Sequence, residues 1–312
     1  MGVGVYNVVK VFFEGQTLPK SITHTILVLI PKKNNVETFT DMRPISLSNF
    51  INKLISRVVQ NKLENVLPSL ISTNQYGFVK GRCIIKNVLL TQKVVSDIRL
   101  KGKPANVVLK LDMAKAYDRV SWDFLARVRG RWDLRILPRA LNSLFEDNGF
   151  RSYGMPKWSA NLNHLAYAND TIIFSSADDT SLQLIMRILQ EYEQMSGQLI
   201  NKGKSSFYMH SKAANVIVQQ VEAITGFTRG SFPFTYLGCL ITHARKRKAD
   251  YSDLIQKVKD KLAAWKGRLL SFGGKVVLIN SVLVSMPIHL LSAIRPPKGV
   301  IYDLHRVFAR FF

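Results

Sequence analysis

An α+β fold is predicted from three features of the sequence. Apolar strand patterns stand at residues 25–30 and 106–111, basic amphipathic helices of period 3.6 at residues 45–67 and 252–266, and no internal repeat or low-complexity linker separates them. With 312 residues, 47% of them hydrophobic, the chain can bury one large core or two to three subdomains, which excludes disordered and collagenous classes. The 44 Lys and Arg against 21 Asp and Glu leave a net charge of +23. A surplus of that size points to phosphate, with nucleic acid first, an anionic membrane next, and a merely solubilising surface as the plain alternative.

The elements follow in order. MGVGVYNVVKVFFEG lacks a basic stretch before an apolar run and has no small-residue cleavage site, so it does not read as a secretory signal. TILVLI, residues 25–30, is a strand stopped by Pro31-Lys32-Lys33. ISLSNFINKLISRVVQNKLENVL, residues 45–67, fits a helix, with Ile51, Leu54, Ile55, Val58 and Val59 on one face and Lys53, Arg57 and Lys62 polar. Pro68 ends it.

From residue 106 period-two alternation sets Val107, Leu109 and Leu111 against Val108, Lys110 and Asp112, leaving Asp112 at the strand's end. HLAYANDTIIF, residues 164–174, is a short apolar hairpin with Asn169-Asp170 at its tip. In the helix at residues 252–266, Leu254, Ile255, Val258, Leu262 and Trp265 form the apolar face, and Lys257, Lys259, Lys261 and Lys266 solvate the rest. Gly273-Gly274 then precedes VVLINSVLVSMPIHLLSAI, residues 276–294, which carries no charge and approaches the ~20 residues that a bilayer requires. Asn280, Ser281, Ser285, Pro287, His289 and Ser292 interrupt it, so a buried, Pro-kinked helix is expected rather than a membrane span. Cys83 and Cys239 lack CxxC spacing and neighbouring histidines, which supports neither a zinc site nor a disulfide framework and suits an intracellular protein.

A carboxylate at a strand's C-terminal end suits Mg²⁺, which binds through one or two protein carboxylates together with substrate phosphates. From the strand alone, Asp112 as the cap of a following helix is an equal alternative.

Seven blocks in order, LVLIPKK, DMRPISLSNFINKLIS, NQYGFVKGR, KLDMAKAYDRVSWDFL, HLAYANDTIIF, SGQLINKGKSS and YLGCLI, resemble the reverse transcriptase of plant LINE-type (non-LTR) retrotransposons. The resemblance implies a right-hand polymerase with an incomplete palm. Residues 1–105 would be fingers-like, 106–212 palm-like with an interruption near 126–137, and 213–312 a thumb-like helical region. It implies Mg²⁺ or Mn²⁺, weakly bound by Asp112 and Asp170, and an RNA template and DNA primer as partners, with no membrane. Tyr117 would lie beneath the incoming sugar. Arg43 and Arg82 would face template backbone or triphosphate, Lys204 the leaving pyrophosphate, and Tyr236-Leu237-Gly238 would grip the primer end.

Two departures stand out. The family hairpin reads Ala-Asp-Asp where this one reads Ala168-Asn169-Asp170, and the Gln-Gly-Asp-Pro stretch that supports incoming base and template is absent. In its place ARVRGRWDLRIL, residues 126–137, crowds Arg127, Arg129, Arg131 and Arg135, and the family pattern resumes near Pro138. Residues 126–137 read as the scar of an internal deletion or a mis-predicted splice. Loss of palm helices would leave the sheet exposed on one face, so that Asp112 and Asp170 need not converge. The expectation is a reverse transcriptase domain without catalysis in this copy. Its alternatives are a non-catalytic nucleic-acid-binding remnant and a partly folded fragment. ARKRKAD, residues 244–250, reads as a solvated basic loop rather than a nuclear-localisation signal.

Overall fold

The computed structural model describes residues 2–99, 105–114, 119–131, 136–155, 161–244, 246–266, 271–280 and 296–311. The chain divides into two compact units, Met1–Ser69 and Leu70–Phe312.

In the first unit, helix α1 (Gly2–Phe13) is followed by an antiparallel ribbon of β1 (Thr25–Pro31) and β2 (Met42–Ser48), then by α2 (Phe50–Glu64). The strand expected at residues 25–30 is present. The helix expected from residue 45 starts at Phe50 instead, because Ile45 and Leu47 alternate with Ser46 and Ser48 and pair with Val28 and Ile26. Two local causes set the boundary. Pro44 cannot occupy a helix interior, and the Asn49 side chain accepts the Asn52 N–H at 3.0 Å as an N-cap. Within α2, Ile55 is buried while Lys53 and Arg57 stay exposed. The Lys62 ammonium lies 4.7 Å from the Phe13 ring centre. The ribbon is apolar and open, with Ile26 63% and Leu27 61% exposed.

The second unit is built on a five-stranded sheet. Its elements begin with α3 (Ile84–Ser96), β3 (Asn106–Leu111), β4 (Met113–Ala114), α4 (Trp122–Arg131) and α5 (Ile136–Ser143). The hairpin β5 (His164–Tyr167) and β6 (Asp170–Ser176) follows, then α6 (Asp179–Ser196), β7 (Leu199–Ile200), β8 (Ser206–Met209), α7 (Asn215–Thr225) and β9 (Thr228–Arg229). The strand order is β5-β6-β3-β8-β9, antiparallel except for the parallel pair β8 and β9. A separate ribbon pairs β10 (Phe234–Tyr236) with β11 (Cys239–Ile241).

Strand β3 lies in the middle, and its alternation is the one read from the sequence. Val107, Leu109 and Leu111 join Ile173 and Phe207 in a core with Leu141 of α5, Leu182, Ile185 and Leu189 of α6, and Val221 of α7. Val108 faces the other way, with Ile172, Phe174 and Tyr208, against Val88 and Val95 of α3 and Phe234, Tyr236 and Ile241 of the ribbon. Burying each such side chain stabilises the fold by roughly 1.5–3 kcal/mol. Both faces of the sheet are therefore covered, which corrects the expectation of a bare face. The physical reason is α5. It begins within the irregular stretch and still lays Leu137 and Leu141 onto the sheet. The side chains of residues 128–135, including Arg129, Arg131 and Arg135, lie outside the described residues.

Helix α8 (Ser252–Lys266) forms where the sequence placed it and buries Ile255, Val258 and Leu262 against Val300 and Leu304 of a C-terminal helix, Lys298–Ala309. The side chains of Trp265 and Lys266 lie outside the described residues. Of the uncharged segment, residues 276–280 are described, within and just after a helix Phe272–Leu278, while residues 281–295 lie outside. No helix among the described residues is long and apolar enough to cross a membrane.

Candidate active site

Asp112 follows the last residue of β3, where the chain leaves the sheet for β4. Its backbone is held on both sides. The Asp112 N–H donates to Ser205 Oγ at 3.1 Å, and its carbonyl accepts the Asn201 N–H at 2.8 Å. The Asn201–Ser205 turn thus fixes the position of Asp112, and Lys204 is exposed on that turn, its N–H donating to the Asn201 carbonyl at 3.1 Å.

The hairpin supplies the second carboxylate. Tyr167 pairs with Asp170, so Ala168 and Asn169 are the two turn residues. The β3–β6 register ends with Leu111 opposite Thr171, so Asp112, just past the end of β3, and Asp170, the first residue of β6, lie at the same end of the sheet on neighbouring strands. The carboxylates feel each other. Burial raises the Asp170 pKa above the ordinary carboxylate value, the Lys110 ammonium pulls it back, and the Asp112 charge raises it again. The structure brings Asp112 and Asp170 together, contrary to the expectation that they need not converge. Lys110, two residues before Asp112 on the same strand face, donates to the Thr235 carbonyl at 2.8 Å.

The turn is clamped from outside the hairpin. Ala168 has φ +54°, a left-handed conformation that costs a non-glycine residue roughly 1–2 kcal/mol. Gln75 secures it, its Oε1 accepting the Ala168 N–H at 3.0 Å and its Nε2 donating to the Ala168 carbonyl at 3.4 Å. Ala166 N–H donates to the Asn74 carbonyl at 2.9 Å and Tyr76 N–H to the Ala166 carbonyl at 2.8 Å, which lays residues 74–76 along β5. Gly77 must lack a side chain, because a Cβ there would stand 2.6 Å from the Ala168 nitrogen.

Arg82 serves this clamp. Its guanidinium donates to the carbonyls of Ser72, Gln75 at 2.5 Å and Ile71 at 3.0 Å, so it braces the loop where the resemblance had it facing template or triphosphate. Arg43 is exposed on β2, opposite Ile30. Tyr117 lies outside the described residues.

Tyr236 is buried at the end of β10, and Leu237 and Gly238 form the tight turn to β11, with φ +49° and +77° as a two-residue type I′ hairpin turn needs. Burial pushes the Tyr236 phenol up, and the nearby Asp170 carboxylate pushes it further. Asn87 of α3, fully buried, donates to the Ala166 carbonyl at 3.0 Å and ties the hairpin to the same neighbourhood. His164, which opens the hairpin, is kept neutral by burial, its pKa lowered to about 4, and its Nδ1 meets Asn163 Oδ1 at 2.8 Å. Beside the turn lies a cavity of about 220 Å³, whose lining includes Ala168, Asn169 and Thr171 from the hairpin and Leu125 and Pro138 from either side of the irregular stretch.

Sequence reasoning missed Gln75, Asn87 and the charge role of Lys110. Gln75 stands inside the NQYGFVKGR block, and Lys110 was visible as the strand-face partner of Asp112. Asn87 left no signal, since an amide in an apolar helix is silent until its partner is known.

A carboxylate whose folded pKa is raised binds its proton more tightly in the folded state, so stability falls as pH rises from the ordinary carboxylate value through the raised one. Asp170→Asn is therefore expected to melt a few degrees above the parent at neutral pH, with the gain vanishing in acid below the carboxylate range. Thermal melts of both proteins at the two pH values check this. A lower melting temperature for Asp170→Asn at neutral pH would refute the assigned shift.

A largely antiparallel sheet thus carries two carboxylates on neighbouring strand ends, clamped at a hairpin turn. Residues 30–159 match the family described as reverse transcriptase (RNA-dependent DNA polymerase). Over 98% of its length the chain is 24% identical to an uncharacterized 149 kDa protein of transposon TX1 from Xenopus laevis. It is 29% identical over 40% of the chain to a retrovirus-related Pol polyprotein from type-1 retrotransposable element R2 of Popillia japonica. Over 49% of the chain it is 26% identical to a probable RNA-directed DNA polymerase from transposon BS of Drosophila melanogaster. The chain spans 27% of the first relative and 17% of each of the other two. The segment 30–159 is thus of the reverse transcriptase type, and the relatives are transposon proteins.

Proposed function

We propose that the chain is the reverse transcriptase (RNA-directed DNA polymerase) domain of a plant LINE-type, non-LTR retrotransposon, in a copy that has lost catalysis. The observation that carries this reading is that Asp112 and Asp170 lie at neighbouring strand ends, close enough for the Asp112 charge to raise the Asp170 pKa, beside an Ala168-Asn169 turn. Residues 1–105 act as fingers, 106–212 as an interrupted palm and 213–312 as a thumb-like region.

Two carboxylates on adjacent strand ends, half open to solvent, fit a hard divalent cation that completes its shell with water and substrate phosphate. When bound, such ions lower the pKa of a primer 3′-hydroxyl and stabilise charge around the attacked phosphorus. Asp112 and Asp170 would hold them, with the Asn169 amide as a neutral third donor. Lys110 moderates the negative charge of the pair, and Lys204 stands on the turn that fixes Asp112. The Tyr236-Leu237-Gly238 hairpin carries the primer end, Tyr117 the incoming sugar, and Arg43 the template backbone. Arg82 acts indirectly, through the Gln75 loop and the turn.

Loss of catalysis has two supports. Asn169 brings no charge where the resemblance places an aspartate, and metal-dependent charge stabilisation is worth several kcal/mol. The alignment with the transposon TX1 protein runs over 356 positions, more than the 312 residues of this chain, so that relative carries residues with no counterpart here. A non-catalytic nucleic-acid-binding remnant is the second reading, favoured by the charge of +23. The partly folded fragment is disfavoured by a sheet packed on both faces.

The test is metal titration. Mn²⁺ is expected to bind weakly, with a dissociation constant near the millimolar range, about −4 kcal/mol. Asp112→Ala should weaken it at least tenfold further, followed by the electron paramagnetic resonance signal of free Mn²⁺. An unchanged titration would remove Asp112 from the ligand set.

A further inference from the structure

At the end of the sheet remote from the carboxylates, the chain forms a second, larger concavity of about 550 Å³. Met209, one of its lining residues, pairs with Val107, five residues and ~16 Å of strand away from Asp112. Its wall includes Arg229, Arg247, Ser231, Thr242, Phe232 and His243. Both arginines are exposed at their side chains, and the Arg229 guanidinium also donates to the His210 carbonyl at 3.4 Å. One carboxylate, Asp250, lines the same space, and it accepts the Arg247 backbone N–H at 2.8 Å.

A second observation is independent of the charge. Aromatic rings run from the sheet into this concavity as a continuous ladder. Tyr208 stacks on Phe234 with ring centres 4.0 Å apart, and Phe232 lies 5.6 Å from both. His243 follows at 4.5 Å from Phe232, and His210 at 5.4 Å from His243. Gly230 permits this packing, since a Cβ there would come within 2.2 Å of the Tyr208 ring. Half-buried rings beside guanidinium groups are the chemistry that takes an unpaired base on a π-face and its phosphate on a cation.

We infer that this concavity seats one nucleotide unit of single-stranded nucleic acid, with its phosphate at Arg229 and Arg247 and its base against Phe232 and His243. This rests on the nucleic-acid reading above and adds a second contact point, separate from the carboxylates. It also gives a role to part of the basic run at residues 244–250, which the sequence alone presents as a solvated loop.

The test measures binding of a fluorescent single-stranded DNA oligonucleotide to the full chain across a salt series. Arg229→Ala combined with Arg247→Ala should weaken binding about tenfold and lower the salt slope by about 1. Phe232→Leu should weaken single-strand binding by roughly tenfold and leave binding of the same sequence as a duplex unchanged. Lys257→Ala combined with Lys259→Ala removes equal charge from the exposed face of α8 and should have a smaller effect. The assignment is overturned if the arginine variant binds like the parent, or if the lysine variant is weakened as much. It is also overturned if a mononucleotide competes as well as the oligonucleotide, which would make this a free-nucleotide pocket, or if inorganic phosphate alone competes equally. A parent chain that holds no nucleic acid at low salt would fell this inference and the functional reading together. Intact binding by the pocket variants would fell this inference alone.

Discussion

Affinity for an RNA–DNA hybrid should fall on the order of a thousandfold between about 50 and 200 mM salt if the chain neutralises as few as six phosphates. The cause is counterion release. Each phosphate paired with Lys or Arg sheds a condensed cation, and that entropic gain shrinks as bulk salt rises. A net charge of +23 supplies more than enough cations. Lys257, Lys259 and Lys261 are exposed on α8, Lys204 on the turn that fixes Asp112, and Arg43 on β2. Exposed charges interact through solvent, so they respond to salt far more than buried pairs do. Fluorescence anisotropy across a salt series gives the slope directly. Binding that does not change with salt would remove both the polymerase reading and the binding-remnant reading, since each relies on phosphate contacts.

The parts of this structure legible in the sequence are those governed by local periodicity. Val107 to Asp112 alternate with period two, and the fold keeps that alternation. The α8 face repeats at 3.6, and Ile255, Val258 and Leu262 are buried. The start of α2 was misplaced because Leu47, four residues before Ile51 and seven before Leu54, satisfies a helical spacing as well as a strand alternation with Ile45. Only the Asn49 cap and the pairing with β1 decide between them. Non-local partnerships were harder to see. The resemblance implied a substrate contact for Arg82, because the carbonyls of Ile71, Ser72 and Gln75 that accept from its guanidinium are not visible in sequence. Gln75 sits 93 residues before Ala168, and nothing in either segment announces that an amide holds the turn. The covered sheet face was missed for a related reason. Leu137 closes the stretch that departs from the family pattern, and with Leu141, four residues on, it suffices to seat a short helix on a sheet.

The convergence of Asp112 and Asp170 sharpens what repair of the site should achieve. On the proposed reading, Asn169→Asp restores a charge at a hairpin that Gln75 already clamps, and the carboxylates of the proposed metal site would be complete in kind. Were charge the only defect, losing even ~3 kcal/mol of stabilisation accounts for about a hundredfold in rate, and primer extension on an RNA template should return with the single substitution. The expected result is that it does not. The lining of the cavity of about 220 Å³ beside the turn includes Leu125 and Pro138, the residues that flank the irregular stretch. No Gln-Gly-Asp-Pro segment stands between them to support base and template. Positioning of reacting groups is demanding, and misplacement by ~1 Å can cost on the order of a hundredfold. The assay is primer extension with deoxynucleotides and Mn²⁺ on three proteins: the chain itself, Asn169→Asp, and Asn169→Asp with a family-like block inserted after Leu125. Only the third should extend the primer. Synthesis by the unaltered chain would overturn the loss of catalysis. Synthesis by Asn169→Asp alone would show that α5 and the packed sheet already position the substrates, leaving one uncharged side chain as the whole of the defect.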